Sequence, residues 1–235
     1  MPLKAVLFDM DGVLCDTVDY HYRSWKIIAE ELRLPFTRKD NEKLLGLTRG
    51  RSLDVILGGK SIPEAQRQSI LLLKNKVYLD LIQEITPQDA LPGVKELLGE
   101  LRRADIRVGV ASASRNVEVV LERLLLRPWV DAVTDGNMIQ RSKPAPDVFL
   151  MTASALGVQP GDCIVIEDSQ AGIEAAQAAG MCVIGLGPTQ RVGGAFAVFN
   201  GLDRVHLRDL NRVYKRWQAA YRSHTSDSFE QPAQS

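Results

Sequence analysis

Lys4-Ala5-Val6-Leu7-Phe8-Asp9-Met10-Asp11-Gly12-Val13 is the stretch from which the fold follows. An apolar run with no polar face ends in two carboxylates two residues apart, and then a glycine. Ala5–Phe8 therefore reads as a buried parallel strand. Side chains alternate along an extended chain, so Asp9 and Asp11 can project to the same side. The carboxyl ends of parallel strands are where open α/β sheets build their sites. Two carboxylates placed there repel each other unless a cation or a shared proton intervenes. The pattern points to a hard metal, a nucleophilic aspartate, or both. A surface turn, where Asp and Gly are common, is the plainer alternative.

Three more strand-like runs follow: Val108–Ala111, Cys163–Ile166 and Cys182–Leu186, with Asp131–Thr134 as a further candidate. Gly93–Ala104 and Ala171–Ala179 have helical spacing between them. This alternation predicts an α/β fold, a doubly wound, Rossmann-like parallel sheet flanked by helices. The stretch from about Val18 to Gln83 breaks the alternation and is helical in pattern. Val18, Tyr22, Trp25, Ile28, Ala29 and Leu32 mark one amphipathic face, and the apolar residues of 70–82 mark another helix. The reading is an all-helical cap over 18–85, inserted into a core formed by 1–17 and 86–222. Thr17-Val18 and Ile85-Thr86-Pro87 would be its two connections. The stretch from about Arg222 to Ser235 is poor in apolar residues and predicts a disordered tail. Nothing in the sequence accounts for Arg191–Phe199.

A chain of 235 residues can bury a full core. Lys and Arg number 29, as do Asp and Glu, so the formal net charge is zero and there is no electrostatic case for nucleic acid. The N-terminus runs straight into a strand, which predicts no signal peptide, and no apolar run approaches the ~20 residues of a membrane span. Cys15, Cys163 and Cys182 are odd in number and widely spaced, which argues against a disulfide framework or zinc site. Buried thiols in a reducing cytoplasm fit that usage. A monomer is the simple expectation.

The other strand ends also carry chemistry. Ser112-Ala113-Ser114-Arg115-Asn116 follows Val108–Ala111 and offers a hydroxyl and backbone N–H groups, a phosphate cradle or simply a helix N-cap. Ser142-Lys143-Pro144 places a lysine before a stiffened backbone, where it could neutralise a phosphate or stand in solvent. Ile164-Val165-Ile166 runs into Glu167-Asp168-Ser169-Gln170-Ala171-Gly172, a second acidic strand end. With Asp9 and the Asp11 carbonyl these acids could complete an oxygen-rich Mg²⁺ shell. Capping by Asp168 is the alternative. Three strand ends carrying acid, hydroxyl and acid, with a lysine before the third, are hard to assign to capping alone.

These ordered motifs resemble those of the haloacid dehalogenase-like phosphatases and phosphomutases, over nearly all residues up to about 187. The resemblance implies that Asp9 attacks phosphorus and forms an aspartyl-phosphate, and that Asp11 is the general acid and base. It implies that Ser112 and Lys143 hold the transferring phosphate. Asp9, the Asp11 carbonyl and Asp168 would bind Mg²⁺, with Glu167 at or next to the ion. The insert narrows the match. His21-Tyr22-Arg23-Ser24-Trp25-Lys26, Leu45-Gly46-Leu47-Thr48-Arg49-Gly50-Arg51-Ser52-Leu53 and Lys76 are similar to the sugar phosphomutases of that superfamily. The implied reaction interconverts beta-glucose 1-phosphate and glucose 6-phosphate through a beta-glucose 1,6-bisphosphate that reorients between two phosphate sites.

Arg49 would then grip the non-reacting phosphate, with Ser114 and Asn116 helping and Ala113 and Arg115 beside them. Gly46, Leu47, Thr48 and Ser52 would line the sugar side, Gly46 allowing a close approach. His21 and Trp25, four residues apart, share a helix face, though core packing alone would explain Trp25. The resemblance implies that Lys76 meets His21 and orients Asp11 as the cap closes. Leu47-Thr48, Gly50-Arg51 and Arg115 depart from the usual Val-Ser, acidic pair and lysine, which bears on which sugar fits. A phosphatase acting on small sugar phosphates would use the same residues with water as acceptor. A noncatalytic sugar-phosphate sensor is the reading from a different class.

Overall fold

The computed structural model describes residues 2–227, with side chains described up to residue 220. Its centre is a six-stranded, all-parallel sheet. The strands are β1 (Ala5–Phe8), β2 (Arg107–Ala111), β3 (Ala132–Thr134), β4 (Cys163–Glu167), β5 (Cys182–Leu186) and β6 (Ala197–Phe199), in the order β3-β2-β1-β4-β5-β6. The α/β expectation is met. The chain runs outward from β1 to one edge and then returns to build the other, so β1 sits at a topological switch point.

Register aligns the strand ends. Phe8 pairs with Val110 on one side and with Ile166 on the other, so Asp9, Ser112 and Glu167–Asp168 leave the sheet at one edge. The period of two sorts the strand residues. Val6, Phe8, Val110, Ile164 and Ile166 join an apolar cluster on one face with α5 (Val94–Arg103), α6 (Val117–Arg123) and α10 (Leu207–Asp227). Ala5, Leu7, Val165 and Val183 join the cluster on the other face with α7 (Asp147–Ala155) and α8 (Gln170–Ala178). Both faces are covered, which is why these strands read as unbroken apolar runs.

Between β1 and β2 the chain makes no strand of the sheet. It forms α1 (Val18–Glu31), α2 (Arg38–Glu42), α3 (Arg49–Leu57) and α4 (Glu64–Leu81). These helices share an apolar cluster of their own, including Trp25, Ile28, Phe36, Leu53, Leu57 and Ile70. The two connections run side by side, Leu91 N–H donating to Leu14 C=O at 2.9 Å. Arg123 of α6 clasps the second connection through the Gln83 and Ile85 carbonyls.

The segment without a sequence account folds as α9 (Thr189–Val192) and the edge strand β6, which pairs Ile184 with Ala197. Three half-buried residues after a Gly-Gly pair are too short a run for periodicity to mark. α10 runs on to Asp227, into the stretch expected to be a disordered tail, and the rest of that stretch lies outside the described residues. Cys15, Cys163 and Cys182 are free and buried, as expected, and burial pushes each thiol up to about 12. No helix among the described residues is long and apolar enough to cross a membrane.

Gly93, which precedes α5, has a φ of +84°, and a Cβ there would run into the Leu202 backbone. Gly93→Ala should therefore destabilise by roughly 1–3 kcal/mol, combining left-handed strain with an immovable contact. Urea unfolding should show a lower midpoint with an unchanged slope.

Candidate active site

The sheet edge collects charge. Lys143, on the loop before α7, is only 1 % exposed. Its Nζ donates to Asp9 Oδ1 at 2.5 Å, to Glu167 Oε1 at 2.6 Å and to the Ala111 carbonyl at 3.3 Å. Burial works against the lysine's charge, but the two carboxylates outweigh it and hold the ammonium above its ordinary range. Glu167 is fully committed. Its Oε2 accepts from the Asp168 and Ser169 N–H groups and from the Ser169 hydroxyl.

Asp9, Glu167 and Asp168 each have a carboxylate oxygen within 4.8 Å of the others, all buried. Burial, together with the neighbouring acids, raises the Asp9 carboxyl well above the usual range despite Lys143. Burial first, then Glu167, pushes Asp168 up to about 7. Arg191 of α9 offsets that in part from 3.7 Å. Raised acids gathered in a dry site are the donor set of a hard cation. Gly12, at φ +80°, makes room, because a Cβ there would collide with the Asp168 carboxylate.

Asp11 stands at the mouth. Thr17 Oγ1 donates to its Oδ1, and His21 Nε2 lies 3.9 Å from its Oδ2. Burial pushes the Asp11 carboxyl up to about 6. His21 stacks on Tyr78 and its Nδ1 lies 3.0 Å from Lys74 Nζ. Burial first, and then Lys74 and Arg49, holds His21 well below its ordinary value. Burial first, then Arg49, holds Lys74 well below its ordinary range, offset in part by Asp11. In its ammonium form Lys74 can only donate, which gives Nδ1 the acceptor role and leaves the ring proton on Nε2, facing Asp11.

The cleft opens between the sheet edge and α1–α4. Asp9, Asp11, Ser112 and Asp168 line its floor, and His21, Trp25, Gly46, Leu47, Arg49 and Ser52 line its roof. Ala113, Ser114, Arg115 and Asn116 complete one wall. Arg49 NH2 donates to Asn75 Oδ1 at 2.6 Å, and Asn116 Nδ2 donates to the same oxygen at 2.9 Å. Burial and the nearby Arg115 lower Arg49 to about 10. Among the described residues, neither arginine has an ion-pair partner. Trp25 is buried in the helical cluster and also borders the cleft.

Sequence reasoning misplaces one residue. Lys76 is exposed and does not meet His21; Lys74 does. Ile70, Lys74 and Tyr78 form the buried stripe of α4 at spacing four, whereas Lys76 lies about 200° around the helix from Lys74. That register is the signal by which the sequence distinguishes the two. Thr48 precedes α3 without bordering the cleft, and Lys143 and Glu167 sit beneath its floor. Asn75, Asn41, Leu44 and Thr17 join the site without a sequence signal. No local pattern marks a lone Asn on a helix, and only the meeting of distant segments reveals it.

Lys143→Ala should cost about 3–5 kcal/mol, because Asp9 and Glu167 lose the charge between them. Urea unfolding measures it.

The haloacid dehalogenase-like hydrolase family matches residues 3–180. The beta-phosphoglucomutase of Bacillus subtilis is 40 % identical over 220 residues, covering 92 % of this chain and 97 % of that protein. The fructose-1-phosphate phosphatase YqaB of Escherichia coli is 34 % identical over 180 residues, covering 75 % and 93 %. The crystal structure of a beta-phosphoglucomutase from Clostridium difficile superposes with a TM-score of 0.90 at 35 % identity, over 93 % of this chain and all of that one. The chain thus belongs to the haloacid dehalogenase-like hydrolases, among the beta-phosphoglucomutase-like enzymes of that family.

Proposed function

We propose that this chain is a sugar phosphomutase that interconverts beta-glucose 1-phosphate and glucose 6-phosphate. An aspartyl-phosphate enzyme and a beta-glucose 1,6-bisphosphate would be its intermediates. The observation that carries the reading is a second anion-seeking pair, Arg49 and Asn116, in the cleft that holds Asp9. A mutase must hold one phosphate while the other reacts.

Asp9 is the nucleophile in this reading. Lys143 offsets the repulsion between its carboxylate and an incoming phosphate, and Ser112 holds a phosphate oxygen. Asp11 donates a proton to the sugar oxygen as it leaves, then takes one from the incoming hydroxyl. Its carboxyl at about 6 suits both tasks near neutral pH. Thr17, and His21 through Nε2, orient it, with Lys74 fixing the ring. The helical insert acts as a cap whose closure excludes water from the aspartyl-phosphate.

The acidic centre fits Mg²⁺, a hard cation that favours carboxylate oxygens. Asp9, the Asp11 carbonyl and Asp168 would hold it, and Glu167, its oxygens already engaged, would buttress them. When bound, Mg²⁺ supplies positive charge to the transferring phosphoryl group. The free, buried cysteines suit a reducing cytoplasm.

A phosphatase acting on small sugar phosphates is the second reading, supported by the likeness to the fructose-1-phosphate phosphatase. The two share a reacting centre and differ in whether a sugar hydroxyl or water takes the phosphoryl group.

Phosphorus NMR separates them. The protein is incubated with beta-glucose 1-phosphate, Mg²⁺ and a trace of beta-glucose 1,6-bisphosphate. Glucose 6-phosphate should accumulate without inorganic phosphate, and Asp9→Asn should abolish turnover, a loss of at least about 10³-fold. Inorganic phosphate as the main product would assign the phosphatase instead. Ligation requires ionised carboxylates, and Asp168 stands at about 7. Mg²⁺ affinity measured by calorimetry should therefore rise from pH 6 to pH 8 and flatten above.

A further inference from the structure

We infer that Asn75 is a positioning residue that sets Arg49 and Asn116 as a matched pair for the non-transferring phosphate. The inference rests on the two-phosphate reading above and adds a residue that does not border the cleft.

Three features carry it. First, Asn75 Oδ1 is a shared acceptor. It takes Arg49 NH2 at 2.6 Å from the start of α3 and Asn116 Nδ2 at 2.9 Å from the start of α6. One amide oxygen on α4 thereby ties the helical insert to the sheet-bearing part of the chain. The amide orientation is fixed by chemistry, since a guanidinium only donates.

Second, Asn116 gives up its ordinary local role. It occupies the N-cap of α6, where an Asn side chain normally accepts from the first turn, yet it makes no side-chain cap hydrogen bond. Its amide reaches instead to Asn75 of α4, 41 positions away.

Third, Asn75 is neutral. Among the described residues Arg49 has no carboxylate partner, and burial and Arg115 already disfavour its charge. An aspartate at position 75 would satisfy the same donors but cancel the charge that an anion needs. A neutral carbonyl orients the guanidinium and leaves its charge to the ligand. The donors are then set before the phosphate arrives, so less ordering is required on binding.

The test uses the full chain with Mg²⁺ and Asp9→Asn to stop turnover, with glucose 1,6-bisphosphate as the calorimetric probe. Adding Asn75→Ala should weaken bisphosphate binding about tenfold or more, the scale of a charge-assisted hydrogen bond, with the melting temperature within a few degrees. Adding Asn75→Asp instead should weaken it at least as far, although both acceptor contacts survive. In the chain with Asp9 intact, Asn75→Ala should raise KM more than it lowers kcat.

Unchanged bisphosphate affinity in Asn75→Ala would overturn the inference and leave the mutase reading standing. Full recovery of affinity by Asp would also overturn it, because a purely structural acceptor could then be charged. No bisphosphate binding by the Asp9→Asn chain itself would instead overturn the two-phosphate reading beneath it.

Discussion

The buried ammonium of Lys143 is the constraint around which the site is built. It joins Asp9 at the end of β1 to Glu167 at the end of β4 and also touches the carbonyl of Ala111 at the end of β2. Three adjacent strands thus converge on one charge. A lone buried carboxylate is costly, and two side by side are worse. With the lysine between them, and the β4–α8 turn closing on Glu167 through two N–H groups and a hydroxyl, the acids can stay in place. Gly172 lies so close to Glu167 that no side chain fits there, so the turn and the charge cluster specify each other.

That arrangement leaves a residual imbalance. One lysine faces Asp9, Glu167 and Asp168, with Asp11 beside them, and the Asp9, Asp11 and Asp168 carboxyls are all raised. The floor of the cleft thus calls for a cation. The roof and wall present the opposite imbalance, with Arg49 and Arg115 near each other and no carboxylate paired to either among the described residues. In the proposed reading, a cation on the floor would carry one phosphate and Arg49 the other, as the two ends of a sugar bisphosphate require.

The sheet and the reacting centre are legible in the sequence because both obey local rules. A strand buried on both faces is a continuous apolar run, and the residues at its carboxyl end are fixed by register. Asp9, Ser112 and Asp168 can therefore be read as neighbours from their places after three such runs. The wall is less legible because it depends on helix phase and long-range contact. The expectation of Lys76 rather than Lys74 fails on the Ile70–Lys74–Tyr78 register, since a difference of two residues moves a side chain to the far side of a helix. Asn75 matters only because α3, α4 and α6 meet. β6 escapes notice because an edge strand of three half-buried residues carries too little pattern.

The division between legible floor and illegible wall follows the division of labour in the molecule. In the proposed reading, Asp9, Lys143 and the acids would perform phosphoryl transfer whatever the acceptor, and they stand at the ends of the sheet strands. What distinguishes a sugar hydroxyl from water as acceptor must come from the helices over the cleft. Those helices have their own apolar cluster and reach the sheet-bearing part through two connections, a few polar contacts, and the packing of Tyr20, Tyr78 and Leu79 against the core of the sheet. A small apolar interface would let such an insert move without unfolding, and in the proposed reading polar contacts such as Asn75–Asn116 would form as it is seated. In that reading the Asn75 oxygen would couple two events: seating the helices over Asp9 would remove water from the reacting centre and set Arg49 against Asn116. A phosphate that binds the assembled pair more tightly than its separated halves stabilises the closed form by that difference and no more. The non-reacting phosphate would therefore supply the free energy that closes the site on the reacting one, which ties exclusion of water to the presence of a sugar that can accept the phosphoryl group.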